Sequence, residues 1–173
     1  MIIVIMGPCG CGKSTVGNSL AIRTNWPFIE GDDYHSDSNR FKTSMGIPLN
    51  DEDRLPWLRS LRNELMQHKN AILACSALKK SYRNILSSSN DANYQTRTLF
   101  VLLSANKSLL QKRVSERKGH FAHPSLIESQ LETLESFGED EEYLVIDAIC
   151  PQENISSNNK LIPCIQINLE TTQ

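Results

Sequence analysis

A parallel β-sheet with helices on both faces is the fold class this sequence predicts, and three observations predict it. Apolar runs at residues 2–6, 28–29, 71–75, 99–103 and 143–146 read as buried strands, each separated from the next by helical periodicity. Directly after the first run, Gly7-Pro8-Cys9-Gly10-Cys11-Gly12-Lys13-Ser14 fits the phosphate-binding pattern G-x-x-x-x-G-K-[ST] at every required position, with a helical pattern behind it. At 173 residues, with no internal repeat, the chain is expected to form a single domain, 1–173.

The elements follow in order. Val16, Leu20 and Ala21 recur at helical spacing after the loop, and this segment ends near Asn25-Trp26-Pro27. A short strand then runs into Glu30-Gly31-Asp32-Asp33, the first return to the carboxyl edge of the sheet, where doubly wound proteins bind ligands. Residues 34–50 are polar and broken by Gly46 and Pro48, which predicts an irregular excursion over the site; the acceptor-binding excursion as a whole is placed at about 33–60. Asp51, Glu52 and Asp53 are N-cap candidates, Pro56 suits a first helical turn, and Leu58, Leu61, Leu65 and Met66 continue an apolar stripe. Lys79 to Leu86 reads as a short helix, Leu109, Leu110 and Val114 mark another, and Pro124 opens one with Ile127, Leu131 and Leu134 on one face. The tail reads both ways, as helix through Ile162, Ile165 and Leu169 or as strand through Ile165, Ile167 and Leu169.

A net charge of −2 and a pI near 6.1 offer no general attraction to nucleic acid or to an anionic membrane, so neither is expected as a partner. No leader-like segment precedes the first strand and no run approaches a membrane span; with an odd count of five cysteines, the expectation is a cytoplasmic protein without a disulfide framework. Cys75 lies in a strand and reads as a core residue. Cys9-x-Cys11 lacks the second pair of a zinc site, and the phosphate loop already accounts for its position.

The loop implies the chemistry of its own residues. Glycines let successive backbone amides (Gly7 to Thr15) turn toward phosphate oxygens, Lys13 reaches the β- and γ-phosphates, and the Ser14 hydroxyl is a ligand for Mg²⁺. Glu30 and Asp32 stand two apart at a strand end; a carboxylate there can hold Mg²⁺, directly or through water, or accept the proton of an attacking hydroxyl. Glu30, nearer the strand, is placed behind the metal and Asp32 at the acceptor, with a solvated acidic turn as the alternative. A cationic group of Lys79, Lys80 and Arg83 follows the strand that ends at Ser76, joined by Lys42, Arg54 and His35 from the excursion; a solvated face is the alternative. Arg113 and Arg117 share a helix face four residues apart before Lys118-Gly119-His120, the spacing of an arginine-bearing lid, here about 117–125, with ion pairing to Glu116 as the alternative.

These residues resemble one family. The blocks Gly31-Asp32-Asp33-Tyr34-His35, Asn39 with Lys42, Gly46-Ile47-Pro48-Leu49-Asn50-Asp51-Glu52-Asp53-Arg54-Leu55-Pro56-Trp57-Leu58, Cys75-Ser76-Ala77-Leu78-Lys79-Lys80-Ser81-Tyr82-Arg83, Arg117-Lys118-Gly119-His120-Phe121 and Gln130-Leu131-Glu132-Thr133-Leu134-Glu135 are similar to those of small P-loop gluconokinases, relatives of shikimate and adenylate kinases. They run in family order across about residues 2–147. The resemblance implies a P-loop, nucleoside-monophosphate-kinase-like fold with a lid segment. It also implies phosphorylation of D-gluconate at its 6-hydroxyl by ATP with Mg²⁺, and entry of the product into the pentose phosphate route. The family includes homodimers.

Carried over by position, Lys13, Asp32 and Arg117 are catalytic, with Asp32 as the base. His35, Lys42, Arg54, Ser76, Lys79, Arg83 and His120 surround the sugar acid, Arg113 and Arg117 meet the nucleotide, and Ser14 and Glu30 hold the metal. Ser36 departs from the family's proline, Thr43 from a common methionine and Glu30 from a frequent aspartate, and beyond Ile149 the likeness fades.

Three other readings share the loop. A shikimate-type or nucleotide kinase would need a different segment where Pro48 to Leu58 stands. A GTP-binding switch protein would need N-K-x-D and D-x-x-G, but Asn106-Lys107-Ser108 is followed by Leu109 and no Asp has Gly three residues later. An ATP-binding pseudoenzyme is disfavoured by intact Lys13, Ser14 and Asp32.

Overall fold

In a computed structural model, which describes residues 1–88, 97–116 and 123–148, the polypeptide forms five strands in a single parallel sheet. In chain order the elements are β1 (Ile2–Met6), α1 (Lys13–Thr24), β2 (Phe28–Glu30), a 3-10 turn (Gly31–Tyr34), α2 (Asp37–Ser44), α3 (Asp51–Leu65), β3 (Ala71–Ala74), α4 (Lys80–Ser87), β4 (Thr98–Ser104), α5 (Lys107–Glu116), α6 (Leu126–Thr133) and β5 (Tyr143–Asp147). The strand order is β2-β3-β1-β4-β5, with Ile3 opposite Ile72 on one side of β1 and opposite Leu99 on the other.

Side-chain alternation along the strands divides the core. Ile3 and Ile5 of β1 point to one face, with Val16 and Leu20 of α1, Leu110 of α5 and Ile127 of α6. Ile2, Val4 and Met6 point to the other, against Trp57, Leu58, Leu61 and Leu65 of α3 and Tyr82 and Leu86 of α4. Helices α1 and α4 thus leave β1 and β3, two neighbouring strands, toward opposite faces. That divergence opens a crevice at their carboxyl ends. The strand ends are lashed together there: Cys75 N–H donates to the Ile5 carbonyl (3.1 Å) and Gly7 N–H to the Ser76 carbonyl (3.3 Å). The turn that presents Ser76 carries Ala77 at φ +44°, a left-handed conformation rare for alanine and found here at the edge of the crevice.

Several local expectations are corrected. The stretch 34–50 holds a helix, α2, whose N-cap Ser36 accepts the Asn39 N–H (3.2 Å). The residue that departs from the family's proline thus supplies a cap of its own. The cap of α3 is Asn50, not Asp51, Glu52 or Asp53; Asp53 closes the box by accepting the Asn50 N–H (3.1 Å) while Asn50 Oδ1 accepts the Asp53 N–H (2.8 Å). Pro56 lies in the second turn of that helix, and Met66 is its exposed C-cap. Lys79 is the N-cap of α4, outside the helix. The tail lies outside the described residues. Among the described residues no helix is long and apolar enough to cross a membrane.

Candidate active site

The crevice is a cavity of about 350 Å³, and the phosphate loop forms its floor. Gly7 has φ +134°, and a Cβ there would come within 2.9 Å of the Leu103 carbonyl oxygen, so only glycine turns the chain there. Gly12, at φ +102°, caps α1 without a side-chain hydrogen bond, and α1 has no acidic residue in its first turn. Its N-terminal amides are thereby left to an anion. Gly10, Gly12, Lys13, Ser14 and Thr15 all line the cavity, as does Cys9. Gly7, Pro8 and Cys11 lie behind that lining. The Lys13 ammonium donates to the Pro8 carbonyl (3.1 Å), which folds the side chain over the loop.

The two cysteines of the loop are packing groups. Cys11 is fully buried and its Sγ occupies the space beside Gly7. Burial raises the thiol pKa of Cys9 and Cys11 and pushes Cys75 up to about 12, so all three remain thiols at neutral pH. Among the described residues no group of three or more His, Cys, Asp or Glu side chains is set to hold a metal.

Glu30 and Ser14 share a side-chain hydrogen bond. Burial raises the Glu30 pKa, the Ser14 bond opposes that rise, and the nearby Asp32 adds to it. A half-buried carboxylate beside a hydroxyl is a set of hard oxygen donors and fits Mg²⁺, whose charge would hold Glu30 ionised. Asp32 stands on the 3-10 turn one step closer to the cavity and lines it. That turn is pinned from α3, where the Trp57 indole N–H donates to the Gly31 carbonyl (2.7 Å).

His35 stacks on Trp57, with ring centroids 4.1 Å apart, and its Nε2 is 4.0 Å from Asp32. Its side chain is 7% exposed. Burial, opposed by Asp32 and helped by Arg40 and Arg54, pushes its pKa down to about 4. At neutral pH His35 is therefore a neutral hydrogen-bonding group. The unfolded chain takes up a proton near 6.5 and the folded chain only near 4, so stability is complete above 6.5 and drains away as pH falls between those values. The loss expected by pH 5 is about 2 kcal/mol. Urea unfolding at pH 7.5 and 5.0 checks this: His35→Gln should shrink the difference between the two midpoints, and an unchanged difference would remove His35 as its source.

Of the cations expected around the acceptor, the structure brings only some to the cavity. Arg54 lines it, held by the Tyr82 hydroxyl (3.3 Å) and stacked over that ring at 5.6 Å. Tyr82 in turn donates to Asp51, whose carboxylate also takes both bonds from Lys79 (2.8 and 2.9 Å). Lys79 therefore supports the wall through Asp51 and does not line the cavity. Lys42 is likewise turned to Asp53 (2.6 Å), where it holds the start of α3.

Arg83 is corrected outright. It is 0% exposed and directs five hydrogen bonds away from the cavity, two to Glu141 and one each to the carbonyls of Leu78, Glu135 and Ser136. Ser76 and Arg113 line the cavity, and Arg113 also donates to the Ala148 carbonyl (2.9 Å). Arg117 and His120 lie outside the described residues.

The cavity is also lined by residues to which the sequence gave no role in the site: Thr43, Pro48, Leu49, Trp57 and Glu116, with Leu126, Ser129 and Gln130 of α6. Ser129 and Gln130, polar neighbours on α6 beside the apolar stripe through Ile127, were the signal available.

Comparison with known proteins agrees with this geometry. A profile of the shikimate kinase family matches residues 9–168. The protein named probable gluconokinase from Xenopus tropicalis is 44% identical over 161 residues, covering 85% of this chain and 85% of that one. Gluconokinase from Arabidopsis thaliana is 43% identical over 149 residues, covering 78% of each. A crystal structure of a gluconokinase from Sinorhizobium meliloti 1021 superposes with a TM-score of 0.80 at 37% identity, covering 99% of this chain and 97% of that one. With the phosphate loop, the strand order and the Asp32 edge all in place, the chain belongs to the gluconokinases, within the P-loop kinases that the shikimate kinase profile describes.

Proposed function

We propose that this protein transfers the γ-phosphoryl group of ATP to the 6-hydroxyl of D-gluconate, giving 6-phospho-D-gluconate and ADP. The observation that carries the proposal is one cavity opening onto both halves of such a reaction. Lys13 and Ser14 of the phosphate loop line it together with Asp32, His35 and Arg54. The relatives named above support gluconate as the acceptor.

Each residue has a part that follows from its surroundings. The amides at the start of α1 and the Lys13 ammonium hold the β- and γ-phosphates, and Arg113 adds positive charge from α5. Ser14 and Glu30 would hold Mg²⁺, which supplies charge neutralisation on the phosphate oxygens when bound. Asp32 accepts the proton of the attacking hydroxyl and orients it in line with the phosphorus. Neutral His35, with Ser76, pairs with sugar hydroxyls, and Arg54 pairs with the carboxylate. A site built to pair with several hydroxyls rejects analogues that lack them by factors of up to about 10⁴–10⁵. Arg117 and His120 are assigned to the nucleotide and the sugar acid by their place in the family's blocks alone. The chain works in this reading as one domain, with residues 33–60 as its acceptor-binding part, in the cytoplasm.

The test is purified protein with Mg-ATP and a panel of gluconate, related sugar acids, shikimate and nucleoside monophosphates, following ADP release. Gluconate should give the highest rate. Turnover of shikimate or a nucleotide, with gluconate no better than the blank, would replace this reading with a related kinase.

A further inference from the structure

One peptide unit of the phosphate loop is gripped from both sides. The Pro8–Cys9 peptide uses its carbonyl to accept the Lys13 ammonium (3.1 Å) and its N–H to donate to the side chain of Gln130 (2.7 Å). The Gln130 atom involved must be the carbonyl oxygen, since the side-chain NH₂ has no lone pair to offer a donor. The two bonds lie in series, and each polarises the shared peptide in the sense that strengthens the other. Without Gln130 the Cys9 N–H would need another acceptor, and rotation of the peptide toward one would carry the Pro8 carbonyl away from Lys13.

Helix α6 is a firm base for that grip. Leu126 and Ile127 are buried. At the start of the helix, His123 N–H donates to the Thr43 carbonyl (3.3 Å), and Lys107 pairs with Glu128 (2.5 Å). Just beyond its end, Glu135 N–H donates to the Leu78 carbonyl (2.8 Å). A side chain carried on an element tied at both ends holds its partner within a narrow range of geometry.

We propose that Gln130 is a positioning residue for Lys13. It acts through the Pro8–Cys9 peptide to set the lysine where it meets the nucleotide phosphates. The inference rests on Lys13 being a phosphate ligand and is independent of which acceptor is phosphorylated.

The experiment is a double-mutant cycle on ATP affinity, with Kd for Mg-ATP measured by titration calorimetry on the full chain. Gln130→Met keeps the length and packing of the side chain and removes the acceptor. It is expected to weaken Mg-ATP binding by about tenfold, the scale of one hydrogen bond involving a charged group. In a Lys13→Met background the same substitution should cost less than about twofold, because the residue it acts through is gone. A full tenfold loss in both backgrounds would show that Gln130 acts on the nucleotide independently, and wild-type affinity in Gln130→Met would show that it does not act at all. Either result overturns the proposal. Thermal unfolding of each variant, alone and with saturating ATP, separates a folding defect from a positioning one. Should Gln130→Met unfold early, Gln130→Ala carries the same pair of expectations. Failure of the wild type to bind Mg-ATP would strike the kinase reading itself, whereas failure to turn over gluconate would leave this cycle intact.

Discussion

Asp32→Asn is expected to lower kcat by about 10²–10⁴-fold, the range for loss of a general base, while Kd for Mg-ATP changes by less than about twofold. The substitution keeps the shape and most hydrogen bonds of the side chain and removes only the ability to take up a proton. The surroundings argue that the loss would be chemical and not structural. The turn that carries Asp32 is held through the backbone, by the Trp57 indole on the Gly31 carbonyl, and Trp57 is itself packed under His35. None of these contacts uses the Asp32 carboxylate as its anchor. The check is steady-state kinetics with gluconate beside calorimetric ATP binding. Equal losses in kcat and in ATP affinity would mean that Asp32 maintains the shape of the cavity, and the base would have to be sought elsewhere.

Arg83→Met carries the largest expected effect on stability, a loss of about 3–5 kcal/mol, the scale for breaking a buried ion pair. Glu141 is only 5% exposed and meets Arg83 through both oxygens, at 2.5 and 3.0 Å. Burial would raise its pKa, but Arg83 and the Gly138 N–H outweigh burial and hold the carboxyl below the usual carboxylate range. Removal of the arginine leaves that charge buried without its counter-ion and frees three carbonyls that the guanidinium satisfies. It also strips the cation from the face of Phe137, 4.6 Å away. Urea unfolding of Arg83→Met, Glu141→Gln and the double variant checks this. The double should lose less than the sum of the singles, since it leaves no lone charge behind. A variant of unchanged stability and a raised KM for gluconate would instead return Arg83 to the sugar acid.

Arg83 also shows where reading the chain alone ran out. Lys79 and Arg83 stand four apart in the segment expected to be helical from Lys79, which would put both on one face. Lys79 instead has extended backbone as the cap of α4, and its side chain does not follow the helical spacing. Glu141, the partner that settles the direction of Arg83, lies 58 residues away. Gln130 is the opposite case: the motif blocks contained it, but its contact with Cys9 spans 121 residues and leaves no local trace. The left-handed Ala77 had no signal either, because alanine is not a residue that seeks that conformation.

What the sequence determined by itself is whatever depends on neighbours in the chain. The five strands, the phosphate loop with Lys13 and Ser14, and the return of Asp32 to the sheet edge are all of that kind. Apolar periodicity and glycine's freedom in φ act over a few residues and can be read there. Tertiary structure alone decided which charges face the cavity. Arg54 faces it because Tyr82 holds it there, while Lys42, Lys79 and Arg83 are claimed by Asp53, Asp51 and Glu141. A long cationic side chain can reach in many directions from one backbone position, so its partner is chosen by the carboxylate that folding brings within reach.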